Sequence, residues 1–156
     1  MSAAPPAHLL WIDPGGQTGF AWLYEGVFGA HETGFHEACR QLEIQAMTWG
    51  HHLSVGYERF TILPSTHKLS PQPEAYEFPG VIRFLAHKYG CRLLPPALPA
   101  ERTMATAAEL ETLGWWPPGL DDAQSAAQHL LAFLKREHCV PPELETKLAR
   151  ARSGTV

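Results

Sequence analysis

The sequence predicts a mixed α/β fold, a five-stranded sheet with three antiparallel strands followed by alternating helices and strands, flanked by helices. Three observations carry that expectation. An apolar run, His8 to Asp13, stops at Pro14-Gly15-Gly16, as a buried strand does at an obligatory turn. Two more strand-like runs follow at once, separated by Glu25-Gly26, which is hairpin chemistry. After these, the apolar spacing becomes helical and alternates with short strand-like stretches, which sets helices against a sheet of mixed direction.

Taken in order, His8 to Asp13 is the first strand, Thr18 to Tyr24 the second, and Val27 to Phe35 a third interrupted by glycines. His36 to about His51 is a helix, with Ala38, Leu42, Ala46 and Trp49 at helical spacing. Leu53 to Ile62 gives a fourth strand, and the Pro, Ser and Thr content of Ile62 to Pro73 marks a loop. A second helix runs to about Tyr89, with Phe78, Ile82, Leu85 and Tyr89 on one face. Pro79 is expected in its first turn, where a missing N–H does little harm. Gly90 ends that helix, and Cys91 to Leu94 forms the fifth strand. A third helix covers about Glu101 to Leu113, Trp115 to Gly119 is a loop, and a strong last helix spans Asp121 to about Glu137. Residues 1–140 form the expected domain, and 141–156 a helical or flexible C-terminal tail, helical from Glu143 to Arg150.

At 156 residues the chain can bury a full core, and 45% hydrophobic against 18% charged content excludes a disordered chain. No apolar run approaches the roughly 20 residues of a membrane helix. The start, Met1 to Ala7, carries no basic flank, so no secretory signal is expected. Cys39, Cys91 and Cys139 are widely spaced and odd in number, which fits free thiols in a reducing, cytoplasmic compartment. Neither His51-His52 nor His138-Cys139 has a second ligand pair at zinc spacing. The net charge of −4 runs against the basic surface that phosphate binding draws on. Carboxylates holding divalent cations would cancel part of it, and Lys135, Arg136, Lys147, Arg150 and Arg152 gather in the last quarter of the chain.

Acids stand where a core would not ordinarily place them: Asp13 ends the first strand, Glu58 lies within the fourth, and Asp121 and Asp122 open the last helix. Unpaired buried carboxylates cost several kcal/mol, so a chain keeps them where a cation or partner offsets that cost. Plainer readings exist for each: a turn starter, a solvent-facing edge charge, and, for Asp121, a helix N-cap. Asp122 differs because it borders the face that buries Ala123, Ala126, Leu130 and Leu134, and from there it can point towards Asp13 and Glu58. Oxygen donors of this kind suit magnesium, and a pair of such ions can stabilise both oxygens of an in-line phosphodiester displacement.

Ile12-Asp13-Pro14-Gly15 with Thr18-Gly19, the glutamate of Tyr57-Glu58-Arg59-Phe60, and Asp121-Asp122-Ala123 with Ala126 resemble the motif set of RuvC-like Holliday junction resolvases, particularly the compact phage kind. The likeness runs from about Leu9 to Leu134, and the element order agrees with the ribonuclease H-like fold of that family. The resemblance implies a homodimer that hydrolyses phosphodiesters at four-way or branched DNA junctions with Mg²⁺ or Mn²⁺, two ions per site. Residue by residue it makes Asp13, Glu58 and Asp122 metal ligands. The family's fourth acid lies three residues before the one matched to Asp122; here that position is Gly119, and the neighbouring Asp121 is the candidate substitute. Arg102, Lys68 and Glu77 are the candidates for DNA contact, with His67 beside Lys68.

Other readings keep the fold and change the chemistry: a nuclease for RNA–DNA hybrids or other branched DNA, or a catalytically weak junction-binding dimer. Asp13 to Gly19 is also similar to the first phosphate loop of actin-like kinases, which need two such domains where this chain has length for one. His129 lies two helical turns past Asp122, about 10 Å along the axis, too far to share an ion with it; it reads as a satisfied histidine. Arg59 should face the opposite side of the sheet from Glu58, and Trp115-Trp116 reads as a core plug before a base-stacking wedge.

Overall fold

The computed structural model describes residues 4–60 and 73–153. Its sheet has five strands in the order β3-β2-β1-β4-β5, with β1 at His8–Asp13, β2 at Gln17–Tyr24, β3 at Val27–Gly34, β4 at Leu53–Tyr57 and β5 at Arg92–Leu93. Strands β1, β2 and β3 pair antiparallel, and β4 and β5 join parallel to β1 and to each other. This is the mixed sheet expected from the sequence. The β2–β3 turn is the two-residue kind, Glu25 and Gly26 at φ 49° and 83°, whose left-handed backbone matches the twist of the flanking strands.

Period-two alternation sorts the strand side chains onto two faces. Leu9, Trp11, Ala21 and Leu23 pack beneath α3 (Ala107–Leu113), α4 (Asp121–Arg136) and α5 (Pro142–Arg152). Leu10, Ile12, Phe20, Leu53 and Val55 pack on the other side beneath α1 (Phe35–Trp49) and α2 (Pro73–Tyr89). Leu130 and Leu134 on α4 are fully buried, each contributing about 1.5–3 kcal/mol. The segment after Pro141 is a helix docked on α3: Leu144 and Leu148 enter the core, and Arg152 pairs with Glu109 at 2.8 Å. Among the described residues no helix is long and apolar enough to cross a membrane.

Four local expectations change. Helix α2 begins at Pro73, so Pro79 is inside the helix and not in its first turn. An interior proline costs about 3 kcal/mol, and burial of Ala75 and Phe78 ahead of it, continuous with Ile82 and Leu85, holds the helix through that point. The single third helix is two pieces, a 3-10 turn at Pro99–Met104 and then α3. Thr106 separates them because its side chain caps Glu109 N–H while Glu109 reaches back to the Thr106 amide, a reciprocal pair that starts a helix afresh. Strand β4 ends at Tyr57, which leaves Glu58 one residue beyond it in an isolated parallel bridge to Ala97. Finally, the N-cap position of α4 is Leu120 and not Asp121. The expected loop at Ile62 to Pro73 falls, apart from Pro73, outside the described residues.

Helix α4 approaches β2 very closely at its first turn. A Cβ on Gly19 would stand 2.0 Å from the Asp122 carbonyl oxygen and 2.7 Å from the Ala123 nitrogen. Both atoms are backbone, so no rotamer change relieves the clash. Gly19→Ala is therefore expected to cost about 1–3 kcal/mol or more in urea unfolding. Gly16→Ala, whose Cβ would meet nothing within 4 Å, should stay within about 0.5 kcal/mol of wild type.

Candidate active site

The site follows from strand register. Asp13 pairs with Gly19, and Gly19 with Glu32. On the other side Ile12 pairs with Tyr57, which sets Glu58 beside Asp13, and the Glu58 amide donates to the Ile12 carbonyl at 3.0 Å. Glu32, Gly19, Asp13 and Glu58 thus form one row across the strand ends, on the face covered by α4. Gly19, having no side chain, is the seat for the first turn of that helix, and Asp122 comes down beside the row.

Asp13, Glu58 and Asp122 line one cleft of about 210 Å³, together with Pro14, Gly15, Gln17 and Phe60. Of the residues proposed from sequence as ligands, these three are brought together. Asp121 is exposed at the first position of α4 and does not line the cleft. Arg102, on the 3-10 turn, reaches the site: its guanidinium donates to Ser125 Oγ at 3.0 Å and stands 3.9 Å from Glu58 Oε2. Glu77 is exposed on α2, away from the cleft lining, and Lys68 and His67 lie outside the described residues. Arg59 is exposed beyond the strand end, its amide bonded to the Ala97 carbonyl at 2.7 Å. Trp115 is buried and stacked on Phe28 at 4.6 Å and 9°, the core plug expected.

Three participants were not anticipated. Glu32 accepts hydrogen bonds from the Asp122 and Ala123 amides at 3.1 and 3.4 Å. A strand carboxylate thereby does the capping expected of Asp121, satisfying amides that a helix start leaves open. Ser125 stands by the Asp13 carboxylate, where its hydroxyl favours the charged form. His129 bonds Glu58 Oε2 through Nε2 at 2.6 Å. The signal for Glu32 was its place in the β2–β3 hairpin register opposite Gly19; for Ser125 and His129 it was their spacing of three and seven residues from Asp122, one stripe of α4.

Electrostatically the cleft is under-compensated. Burial, then the neighbouring Glu58 charge, push the Asp13 carboxyl up to about 7 against the pull of the Ser125 hydrogen bond, with Asp122 adding to the rise and Arg102 opposing it. Asp122 is also raised, by burial first and then by Glu32 and Asp121. A larger hollow of about 710 Å³ lies by α5, but its Lys135 and Arg152 are already paired with Glu109, so it gathers no comparable charge.

The donor set is one of hard oxygens with surplus negative charge, chemistry that would suit Mg²⁺ or Mn²⁺. Among the described residues no group of three or more His, Cys, Asp or Glu side chains stands ready-made at metal-ligand geometry. Magnesium is ordinarily held by one or two carboxylates plus water and phosphate oxygens, so an open set of this kind fits it without a closed cage.

The raised Asp13 pKa has a stability consequence. Between the unfolded value of 3.8 and the folded value of about 7, the folded state holds a proton that the unfolded state has lost. Stability therefore falls as pH rises through that window, and the penalty is complete above it. Asp13→Asn removes the ionisation and is expected to stabilise the metal-free chain by roughly 2–4 kcal/mol at pH 8, with little difference below pH 4. Urea unfolding in EDTA at both pH values measures this; equal gains at the two would contradict it.

No family model and no curated protein matches the chain. Among solved structures it is similar to RuvC of Thermus thermophilus, with a TM-score of 0.53 at 15% identity, covering 83% of this chain and 96% of that one. T. thermophilus RuvC in complex with a Holliday junction substrate gives 0.49 at 15% identity, over 83% and 95% of the two chains. At such identity the first likeness establishes the fold: this chain and RuvC share the ribonuclease H-like arrangement of a mixed five-stranded sheet with flanking helices.

Proposed function

We propose that the chain is a metal-dependent, structure-selective DNA endonuclease that resolves four-way or branched junctions by phosphodiester hydrolysis. The observation that carries this reading is the convergence of Asp13, Glu58 and Asp122 on one cleft. They meet at the end of the central strand of a fold shared with RuvC. The motif likeness at these three positions supports the same reading, and it alone relates the chain to the compact phage kind.

Asp13, Glu58 and Asp122 would hold Mg²⁺ or Mn²⁺, and Asp121, from the neighbouring position, is the candidate for any second ion. When bound, the cation supplies charge stabilisation to the attacking and leaving oxygens of the phosphodiester. The chain's own residues supply position. Ser125 would favour the charged Asp13 carboxylate, and Arg102, partly exposed beside the cleft, would donate to a phosphate oxygen. Lys68 and Glu77 remain candidates for contact further along the DNA. Two such sites in a homodimer would match the two-fold symmetry of a four-way junction.

The cleft's surplus negative charge repels phosphate, so cutting should require the cation and cease in EDTA. Asp13→Asn is expected to reduce four-way junction cleavage in Mg²⁺ by at least about 10³-fold, while gel-shift affinity for the junction changes little. Cutting at the wild-type rate would overturn the site assignment. Run in parallel, flap, RNA–DNA hybrid and linear substrates test substrate class; faster cutting of the hybrid would replace the junction reading with a ribonuclease H-type one.

A further inference from the structure

We infer that His129 is a positioning residue for Glu58, turning one carboxylate oxygen towards the cleft where the divalent cation proposed above would bind; the inference rests on that reading. Its starting point is how little else orients this side chain. The Glu58 backbone is tied down, with its amide on Ile12 and its bridge to Ala97, but a glutamate side chain keeps several rotamers from a fixed backbone. Both polar neighbours address the same atom: His129 Nε2 at 2.6 Å and the Arg102 guanidinium at 3.9 Å each approach Oε2. Oε1 has no hydrogen bond to any described residue, and Glu58 lines the cleft. With Oε2 held from behind, Oε1 is the atom offered to a cation.

The histidine is itself immobile. It is 1% exposed, and its ring lies nearly parallel to the Trp11 indole at 5.9 Å and 15°. Trp11 in turn lies over Gly56, where a Cβ would come within 2.3 Å of the indole ring. Gly56 and Glu58 are two residues apart and so face the same side of the sheet. The strand that presents the acid therefore also leaves the space that sets the ring holding it.

The other imidazole nitrogen fixes the direction of the bond. Nδ1 is buried and has no partner among the described residues. A buried N–H without an acceptor is a rare and costly arrangement, so the proton sits on Nε2 and Nε2–H donates to Glu58. Outer hydrogen bonds of this kind hold ligating carboxylates in register, and their loss ordinarily weakens metal affinity about 10- to 100-fold. The distance that prevents His129 from sharing an ion with Asp122 is the distance that puts it behind Glu58.

The test is Mn²⁺ affinity of the intact chain, by electron paramagnetic resonance or titration calorimetry, in wild type and in His129→Leu, His129→Asn and His129→Gln. The Gln amide nitrogen reaches about as far as Nε2, and the Asn amide does not. Leu and Asn are expected to weaken Mn²⁺ binding by about 10-fold or more, and Gln to restore it to within about 3-fold of wild type. Thermal melts followed by circular dichroism accompany each variant. If the buried Leu variant does not fold, the Asn–Gln pair carries the comparison, since both are polar and differ in reach. Wild-type affinity in Leu or Asn, or equal losses in Asn and Gln, overturns the positioning role. Absence of Mn²⁺ binding in wild type overturns the metal reading and this inference with it, an outcome visible before any variant is made.

Discussion

The closeness of α4 to β2 at Gly19 governs the rest of this structure. Because that residue has no side chain, the helix can set its first peptide groups directly on the sheet. Helix starts carry open amides and a partial positive charge, and here a strand carboxylate, Glu32, meets them. Helix position, helix start and the presence of Asp122 beside Asp13 and Glu58 all follow from that contact. A helix held even a side chain's width further away would keep its apolar face and lose the cleft.

The same arrangement concentrates acids with little to neutralise them. Burial is the first cause that raises both the Asp13 and the Asp122 carboxyl above the usual aspartate value. Arg102, the His129 hydrogen bond and the dipole of α4 offset part of this charge, and the remainder is a standing cost to the fold. Such a cost is common where a site is shaped for a ligand that contributes its own charge. It also gives meaning to the clamps on the Arg102 segment. Lys135 bonds the Met104 carbonyl at 2.7 Å, Gln128 the Ala105 carbonyl at 3.1 Å, and Arg136 pairs with Glu101. Two of these side chains, Lys135 and Arg136, read as part of a basic cluster in sequence, and they tie down the segment that carries Arg102 to the cleft.

Much of this was legible in the sequence. Strand β1 and its terminal acid were readable because an apolar run, an acid and a Pro-Gly-Gly turn leave few alternatives, and α4 because its apolar spacing is long and regular. Asp122 was separable from Asp121 by its position on that spacing. Glu32 was not readable: nothing local marks a strand glutamate as the cap of a helix ninety residues away. Identifying it takes the hairpin register and the approach at Gly19 together. His129 read as a satisfied histidine; one of its nitrogens is satisfied, by Glu58, which only the assembled sheet brings near, and Nδ1 has no partner among the described residues. Pro79 misled for a related reason, since local propensity places a proline in a first turn and tertiary burial of Ala75 and Phe78 extends the helix past it.

The site draws on Asp13, Gly19, Glu32, Glu58, Asp122 and His129, which are spread over most of the chain. No hairpin or helix pair contains enough of it to do chemistry. The carboxylates of β1 and the end of β4 meet Asp122 only when α4 is docked on the sheet. By this topology no fragment that lacks α4 holds the three carboxylates together, and the site exists only once the longest-range contacts have formed.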